Sequence, residues 1–167
     1  MLWTMSDAPA NPIPPAGGAF LLAQLGAHAA ARYAERIAGL DLNPAQTGLL
    51  RLVAQEPGRS QQDLATLLGV VPSKIVGLVD SLESLRLVER RRSTTDRRNY
   101  ALHLTDHGRA TMADLRTVAM EHDRDITAAL NDEERVRLVE LLQRVADQQG
   151  LRPGVHPGYQ GLRRSSR

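Results

Sequence analysis

The side chains best suited to chemistry are six arginines crowded into residues 86–98, opposed there only by Glu89 and Asp96. The segment therefore carries a net charge of +4, and the tail at 150–167 adds four more arginines without an acidic residue. Because the whole chain has a net charge of only +2, the rest of the chain is acidic. Clustered guanidinium groups bind polyanions through charge and paired N–H donors. A solvated charged surface is the alternative interpretation.

Other kinds of chemistry find little support in the sequence. The chain has no cysteine, which excludes disulfides and thiol-based redox sensing. We find no Gly-rich phosphate loop and no convincing Ser/His/Asp set, and the acidic run around His122 is typical of a solvated helix face rather than a metal site. We therefore expect neither an enzyme nor a bound cofactor or metal. Without a membrane span or a secretion signal, a cytoplasmic protein is expected.

The elements that must position the arginines are mostly helices. With 3% aromatic residues and a largely aliphatic hydrophobic content, the chain favours packed helices over a sheet sandwich. Pro- and Gly-rich residues 1–18 are predicted to form a disordered leader, and 150–167 a disordered basic tail. Between them, 19–149 is predicted to be a single domain. Helices are predicted over 19–39, 43–55, 60–68 and 72–85, then over 106–129 and 131–148, with two strands between 87 and 104.

The order of these elements predicts a winged helix-turn-helix lobe over 43–104. Two short helices joined by a Gly-containing turn precede a hairpin with a basic tip. A helix of this length fits the major groove, and the hairpin can bring arginine to the adjacent minor groove. We therefore predict a mainly α fold with a small β-hairpin, in which this lobe binds double-stranded DNA and the remaining helices (19–39, 106–129 and 131–148) form a dimerisation region.

The sequence resembles the MarR family of bacterial transcriptional regulators. The resemblance rests on residues 63–70, 78–80, 82–83 and 87–90, on the Asp96-Arg97-Arg98 triplet, and on residues 102–109, which include a Leu-Thr-x-x-Gly-Arg motif. It implies a homodimer that binds a pseudo-palindromic operator, most often as a ligand-responsive repressor. It also implies that Arg98, together with Arg97, enters the minor groove, supported by a salt bridge from Asp96.

Two positions depart from the family pattern. The second helix of the motif offers few polar groups near its start, so direct base readout is expected to be thin. Arg86 occupies a position where the family usually has glycine, so this helix is expected to end differently. The residues predicted to contact DNA are Ser60, Pro72, Ser73, Lys74, Val76, Gly77, Arg86, Arg91, Arg97 and Arg98.

A small-molecule site is predicted only by the resemblance. Family members often bind small aromatic acids between the dimer helices and the DNA lobe, and His28, Tyr33 and Arg51 are polar groups on otherwise apolar helices that could line such a crevice for an aromatic or phenolic effector. The scarcity of polar groups on the second helix of the motif, which we call the recognition helix (72–85), keeps a second hypothesis open. In that hypothesis the winged helix is a protein–protein adaptor with weak or no specific DNA binding.

Overall fold

A computed structural model describes residues 17–92 and 100–155 of the chain. The elements are α1 (Gly18–Ala38), α2 (Pro44–Gln55), α3 (Gln61–Leu68), α4 (Pro72–Ser84), β1 (Val88–Arg92), β2 (Tyr100–Leu104), α5 (Asp106–Ile126) and α6 (Asp132–Gln148). β1 and β2 pair as an antiparallel hairpin with Val88 opposite Leu104. The prediction of a mainly helical protein with one small hairpin is confirmed.

The helices begin where capping residues allow. Asn43 accepts a hydrogen bond from the amide of Gln46, whose side chain accepts one in return from the Asn43 amide. Asn131 and Glu134 form the same reciprocal pair at the start of α6. These capping boxes satisfy amides that otherwise lack partners at a helix start. They fix the first residues of α2 and α6 where the sequence predicts them.

One hydrophobic core joins α2, α3, α4 and the hairpin into a lobe. Its fully buried side chains include Leu49, Leu64, Ile75, Leu82 and Leu102. The apolar residues of each helix recur at helical spacing, so each element buries one face in the same centre. α1 contributes buried Ile37 to this core and α5 contributes buried Leu115, and the partly buried side chains of Tyr33, Met112 and Val118 pack against it.

The Leu-Thr-x-x-Gly-Arg motif fastens α5 to the lobe. The Thr105 hydroxyl accepts from the Gly108 amide at 2.9 Å and donates to the Arg86 carbonyl at 2.5 Å. A Cβ added at Gly108 would lie 2.0 Å from the carbonyl oxygen of Leu87. The motif therefore needs glycine because the backbone before β1 passes directly against the first turn of α5.

The expectation that Arg86 ends α4 differently is wrong. Arg86 has a φ of 56°, in the left-handed region. Its amide donates to the Glu83 carbonyl at 2.8 Å, and the Leu87 amide donates to the Leu82 carbonyl at 2.9 Å. These two bonds are those of a Schellman motif, which normally uses glycine. Bonds on either side of Arg86 hold its strained backbone in the conformation that glycine would adopt freely.

α1 and α6 leave apolar faces uncovered. α6 buries no residue against the described part of its own chain, although it carries five large exposed apolar side chains. α1 exposes another such row near its start. The exposed residues of the two helices are Phe20, Leu21, Leu22, Leu25, Val136, Val139, Leu141, Leu142 and Val145. Contiguous apolar surface of this kind marks an interaction face.

Within the described residues, no individual helix is both long and apolar enough to span a membrane. α3 and α4 reach that length and composition only as a pair, and the pair is bent by 118°.

Candidate functional site

The N-terminal half of α4 presents an open face. Pro72, Ser73, Val76 and Gly77 are all exposed, and nothing lies within 4 Å of a Cβ placed on Gly77. Lys74, beside them, forms no ion pair with any described residue. The face combines one free cation, one hydroxyl and small apolar groups. It is therefore shaped for close approach to another molecule and provides few directional hydrogen bonds.

Arg90 of β1 holds this helix against the hairpin. Its guanidinium hydrogen-bonds Asp80 at 2.5 Å and Gln61 at 3.3 Å, and it also pairs with Glu83, which accepts in addition from the Arg90 amide at 3.2 Å. One side chain thus connects β1 with α3 and α4. Sequence analysis counted Arg90 among the basic residues but missed this role, because its partners lie 7, 10 and 29 positions away.

The remaining cations of β1 fall on two faces. Side chains alternate along a strand, so Arg92 lies on the face of Arg90 and Arg91 on the opposite one. Arg91 pairs with Glu89 at 2.5 Å and lines a small cavity of about 240 Å³ together with His103 and Arg109. Arg92 is exposed and forms no ion pair with any described residue.

Arg91 was among the residues predicted to contact DNA, and Arg92 was not. Side chains alternate along a strand, so a residue two positions after Arg90 is expected on the same face, and this spacing is the signal that could have found Arg92. Tyr100 lies opposite Arg92 in the hairpin register and is half-exposed.

Other predicted residues fall in different settings. The Arg86 side chain is exposed beside the end of α4 and makes no ion pair with the described part of the chain. The Ser60 hydroxyl donates a hydrogen bond to the Asp63 carboxylate at 2.8 Å and accepts one from the Asp63 backbone amide at 3.1 Å. Ser60 is therefore the N-cap of α3. Hydrogen bonds from the Ser60 side chain and backbone lower the pKa of Asp63. Asp96, Arg97 and Arg98 lie outside the described residues.

A large cavity of about 940 Å³ lies between α1, α2 and α5. Tyr33 and Arg51, both predicted from the sequence, line it. Predicted His28 is not among the lining residues and is exposed on α1. Arg116 on α5 also lines the cavity and was not predicted, because the spacing of residues on α5 alone does not show which face of that helix lies toward α1 and α2.

The cavity is apolar with a positive charge. No aspartate or glutamate lines it, and neither Arg51 nor Arg116 forms an ion pair with a described residue. A cavity of about 150 Å³ is enough for benzene, so this one has room for more than one aromatic ring. Uncompensated guanidinium groups beside apolar walls favour an organic anion.

His122 on α5 packs behind the cavity wall. Its ring lies 5.6 Å from that of Tyr33, and its buried Nδ1 has no hydrogen-bond partner among the described residues. Burial lowers the pKa of His122 below its usual 6.5, and the positive charge of Arg36 lowers it further. Arg36 itself pairs with Asp125. Among the residues described, no group of three or more His, Asp or Glu side chains is arranged to hold a metal ion.

Comparison with known proteins places these features in a family. Residues 40–99 match the MarR family. The chain is 39% identical to a putative transcriptional regulatory protein for the hcr operon of Thauera aromatica over 112 residues, 67% of this chain and 68% of that protein.

Solved structures agree. The transcriptional repressor CouR, bound to a 23-mer DNA duplex, is 34% identical with a TM-score of 0.68, covering 78% of this chain and 92% of that one. The Mycobacterium tuberculosis MarR family protein Rv2887, in complex with salicylic acid, is 25% identical with a TM-score of 0.64, covering 79% and 98%. The chain belongs to the MarR family of winged helix-turn-helix transcriptional regulators.

Proposed function

We propose that this regulator is a ligand-responsive repressor that binds a pseudo-palindromic operator as a homodimer. The observation that carries the proposal is the open face of α4, locked by Arg90 to a hairpin that offers unpaired arginine on the same side. Repressor CouR, which shares this fold, was solved on DNA. An aromatic anion in the large cavity lowers operator affinity by shifting the spacing of the two lobes.

On the DNA, each side chain has a distinct role. The start of α4 enters the major groove, where Ser73 and Lys74 reach base edges or phosphates and Val76 contacts a thymine methyl. Arg86 and Arg92 neutralise phosphates on either side. Arg97 and Arg98 enter the minor groove, with Asp96 orienting them. Base-specific contacts remain few, so DNA shape contributes much of the specificity.

A second subunit covers the apolar faces of α1 and α6. The uncovered valines and leucines of α6 are not buried by any described residue of their own chain, and burying each such side chain contributes roughly 1.5–3 kcal/mol. Two-fold symmetry then presents two α4 helices to successive major grooves. This arrangement predicts half-sites one helical turn apart.

The test uses DNA from upstream of the gene for this protein. Fluorescence anisotropy should show tight, salt-dependent binding that is several-fold weaker for Lys74→Ala and for Arg92→Ala. Arg124→Ala is the matched control, because it removes the same charge from an exposed position near the far end of α5. Equal losses in all three variants would mean that the site is wrongly located and that only net charge matters.

A further inference from the structure

A disordered tail was predicted from residue 150 onward, but residues 151–155, which we name the C-terminal strap, follow α6 and contact the rest of the chain. Gly150 has a φ of 67°, and its amide donates to the Asp147 carbonyl at 3.0 Å. The Leu151 amide donates to the Ala146 carbonyl at 3.0 Å. These bonds form a second Schellman motif, which turns the chain sharply away from the helix axis.

The strap is attached to the helix-turn-helix at α3. Nη1 of Arg152 donates a 2.8 Å hydrogen bond to the carbonyl of Leu67, in the last turn of that helix. Carbonyls in a last helical turn lack helical partners, and the helix dipole favours a cation there. Val155 packs against the hydrophobic core of the lobe. The strap therefore connects α6, a dimerisation helix, with α3.

The strap also touches the ligand cavity. The Gly154 carbonyl accepts a hydrogen bond from Nη2 of Arg51, a residue that lines the cavity. Gly154 has a φ of 72°, and the Val155 amide donates to the Arg152 carbonyl at 3.2 Å, so a tight turn presents that carbonyl. Arg51 has no acidic partner among the described residues, and a guanidinium carries five N–H groups. Most of its donors remain available to a ligand.

We propose that the C-terminal strap positions Arg51 to bind the carboxylate of a cavity ligand, and that a bound ligand in turn fastens the strap. The inference rests on the proposed function, since it concerns the same cavity. Because Gly154 already holds the Arg51 side chain in place, Arg51 loses less rotamer freedom when it binds a ligand than an arginine without such a bond would lose. By linkage, a ligand that benefits from the strap stabilises the strap equally. Ligand binding then ties α6 to α3 and restricts how far the lobe can move.

The experiment measures binding of two probes to the full-length protein by fluorescence titration. Salicylate is one, because a family member holds it, and 2-naphthoate is the other, because the cavity has room for two rings. Arg152→Gln and a chain that ends at Gly150 both release the strap. Arg163→Gln is the matched control, since it removes one tail charge without altering residues 151–155.

Both strap variants should bind the probes roughly three- to tenfold more weakly, the effect expected for one long side chain that is no longer ordered in advance. The control should bind as the wild type does, and the difference should persist in high salt, where distant charges are screened. Hydrogen exchange of amides 151–155 should slow when a probe binds. Operator release should need correspondingly more probe in the strap variants.

The outcomes separate the two proposals. If the wild type binds a probe and both strap variants bind it equally or more tightly, the strap inference is overturned while the ligand cavity stands. If the wild type binds neither probe, the proposed ligand class fails and the strap inference fails with it. Urea unfolding of Arg152→Gln establishes that the variant is folded, so weaker binding by it cannot be attributed to loss of the fold.

Discussion

The guanidinium of Arg90 on β1 donates a 2.5 Å hydrogen bond to Asp80 on α4. Through this bond and its pairing with Glu83, the hairpin and the recognition helix behave as one unit. The two surfaces that we propose to enter adjacent grooves of DNA are thereby connected by a direct bond. Most of the Arg90 side chain is buried, with 22% exposed, so its bonds are less screened than those of a surface pair.

Arg90→Ala should therefore lower the free energy of unfolding by about 1.5 kcal/mol, the size expected when hydrogen bonds between charged groups are lost at a partly buried site. Urea unfolding measures this. Arg137→Ala, which breaks the exposed pair with Glu140 on α6, should change stability by less than about 0.5 kcal/mol. Equal losses for the two variants would show that Arg90 does not anchor the hairpin.

Gly108→Ala should damage the fold severely. Its new methyl group would lie 2.0 Å from the Leu87 carbonyl oxygen, which belongs to the backbone and cannot rotate away. The start of α5 would have to shift, at a cost of about 3 kcal/mol or more. Thermal unfolding should show a large drop in Tm or no folded protein. A variant with the Tm of the wild type would rule out the close packing of α5 on this segment.

Gly77→Ala should separate stability from DNA binding. Position 77 lies in the interior of α4 with open space around it, so alanine should stabilise the helix by about 0.5–1 kcal/mol. The same methyl projects from the proposed DNA-facing surface, and we expect several-fold weaker operator binding. Higher Tm together with unchanged affinity would remove Gly77 from the interface.

Arg86→Gly should likewise raise stability while weakening DNA binding. The left-handed backbone at φ 56° costs a non-glycine residue roughly 1 kcal/mol, and part of this is regained when glycine is substituted. Loss of one phosphate contact should flatten the salt dependence of operator affinity by about one unit. Chemical denaturation and anisotropy measure the two effects. If Arg86→Gly were less stable than the wild type, the left-handed backbone at this position would not be strained.

The lowered pKa of His122 predicts that acid destabilises the protein. The unfolded chain, with its histidine pKa near 6.5, takes up the proton before the folded protein does. The contribution of His122 is therefore complete above about pH 6.5 and is lost as the pH falls toward the folded pKa. His122→Phe keeps a ring against Tyr33 and should flatten this part of the stability–pH curve. Urea unfolding at a series of pH values measures the curve, and an unchanged slope in His122→Phe would show that another group is responsible.

Local signals in the sequence predicted most of the fold. Capping pairs such as Asn43 with Gln46 act over three residues, so they fix helix starts without tertiary information. Arg86 shows the limit of this reasoning. Its intrinsic preference argues against a left-handed backbone, and the packing of Leu87 overrides that preference.

The site was predicted less completely. Tyr33 and Arg51 line one cavity as expected, but His28 points elsewhere on the same helix as Tyr33. The hydrogen bond between Arg51 and Gly154 joins residues 103 positions apart, and helical or strand periodicity in the sequence cannot predict a contact between residues so far apart. The roles of the predicted DNA-contacting residues stay predictions until they are tested by substitution.

The measurement that bears most directly on the central claim is the affinity of the purified protein for its own upstream DNA across a series of NaCl concentrations, for the wild type and for Arg98→Ala. If the protein binds this DNA through its basic hairpin, log affinity falls linearly and steeply with log salt concentration. Arg98→Ala then binds more weakly, with a slope smaller by about one. Binding that is weak and independent of salt would contradict DNA binding and favour a protein–protein adaptor. Tight binding by Arg98→Ala with an unchanged slope would show that Arg98, in the segment between the two hairpin strands, does not contact the DNA.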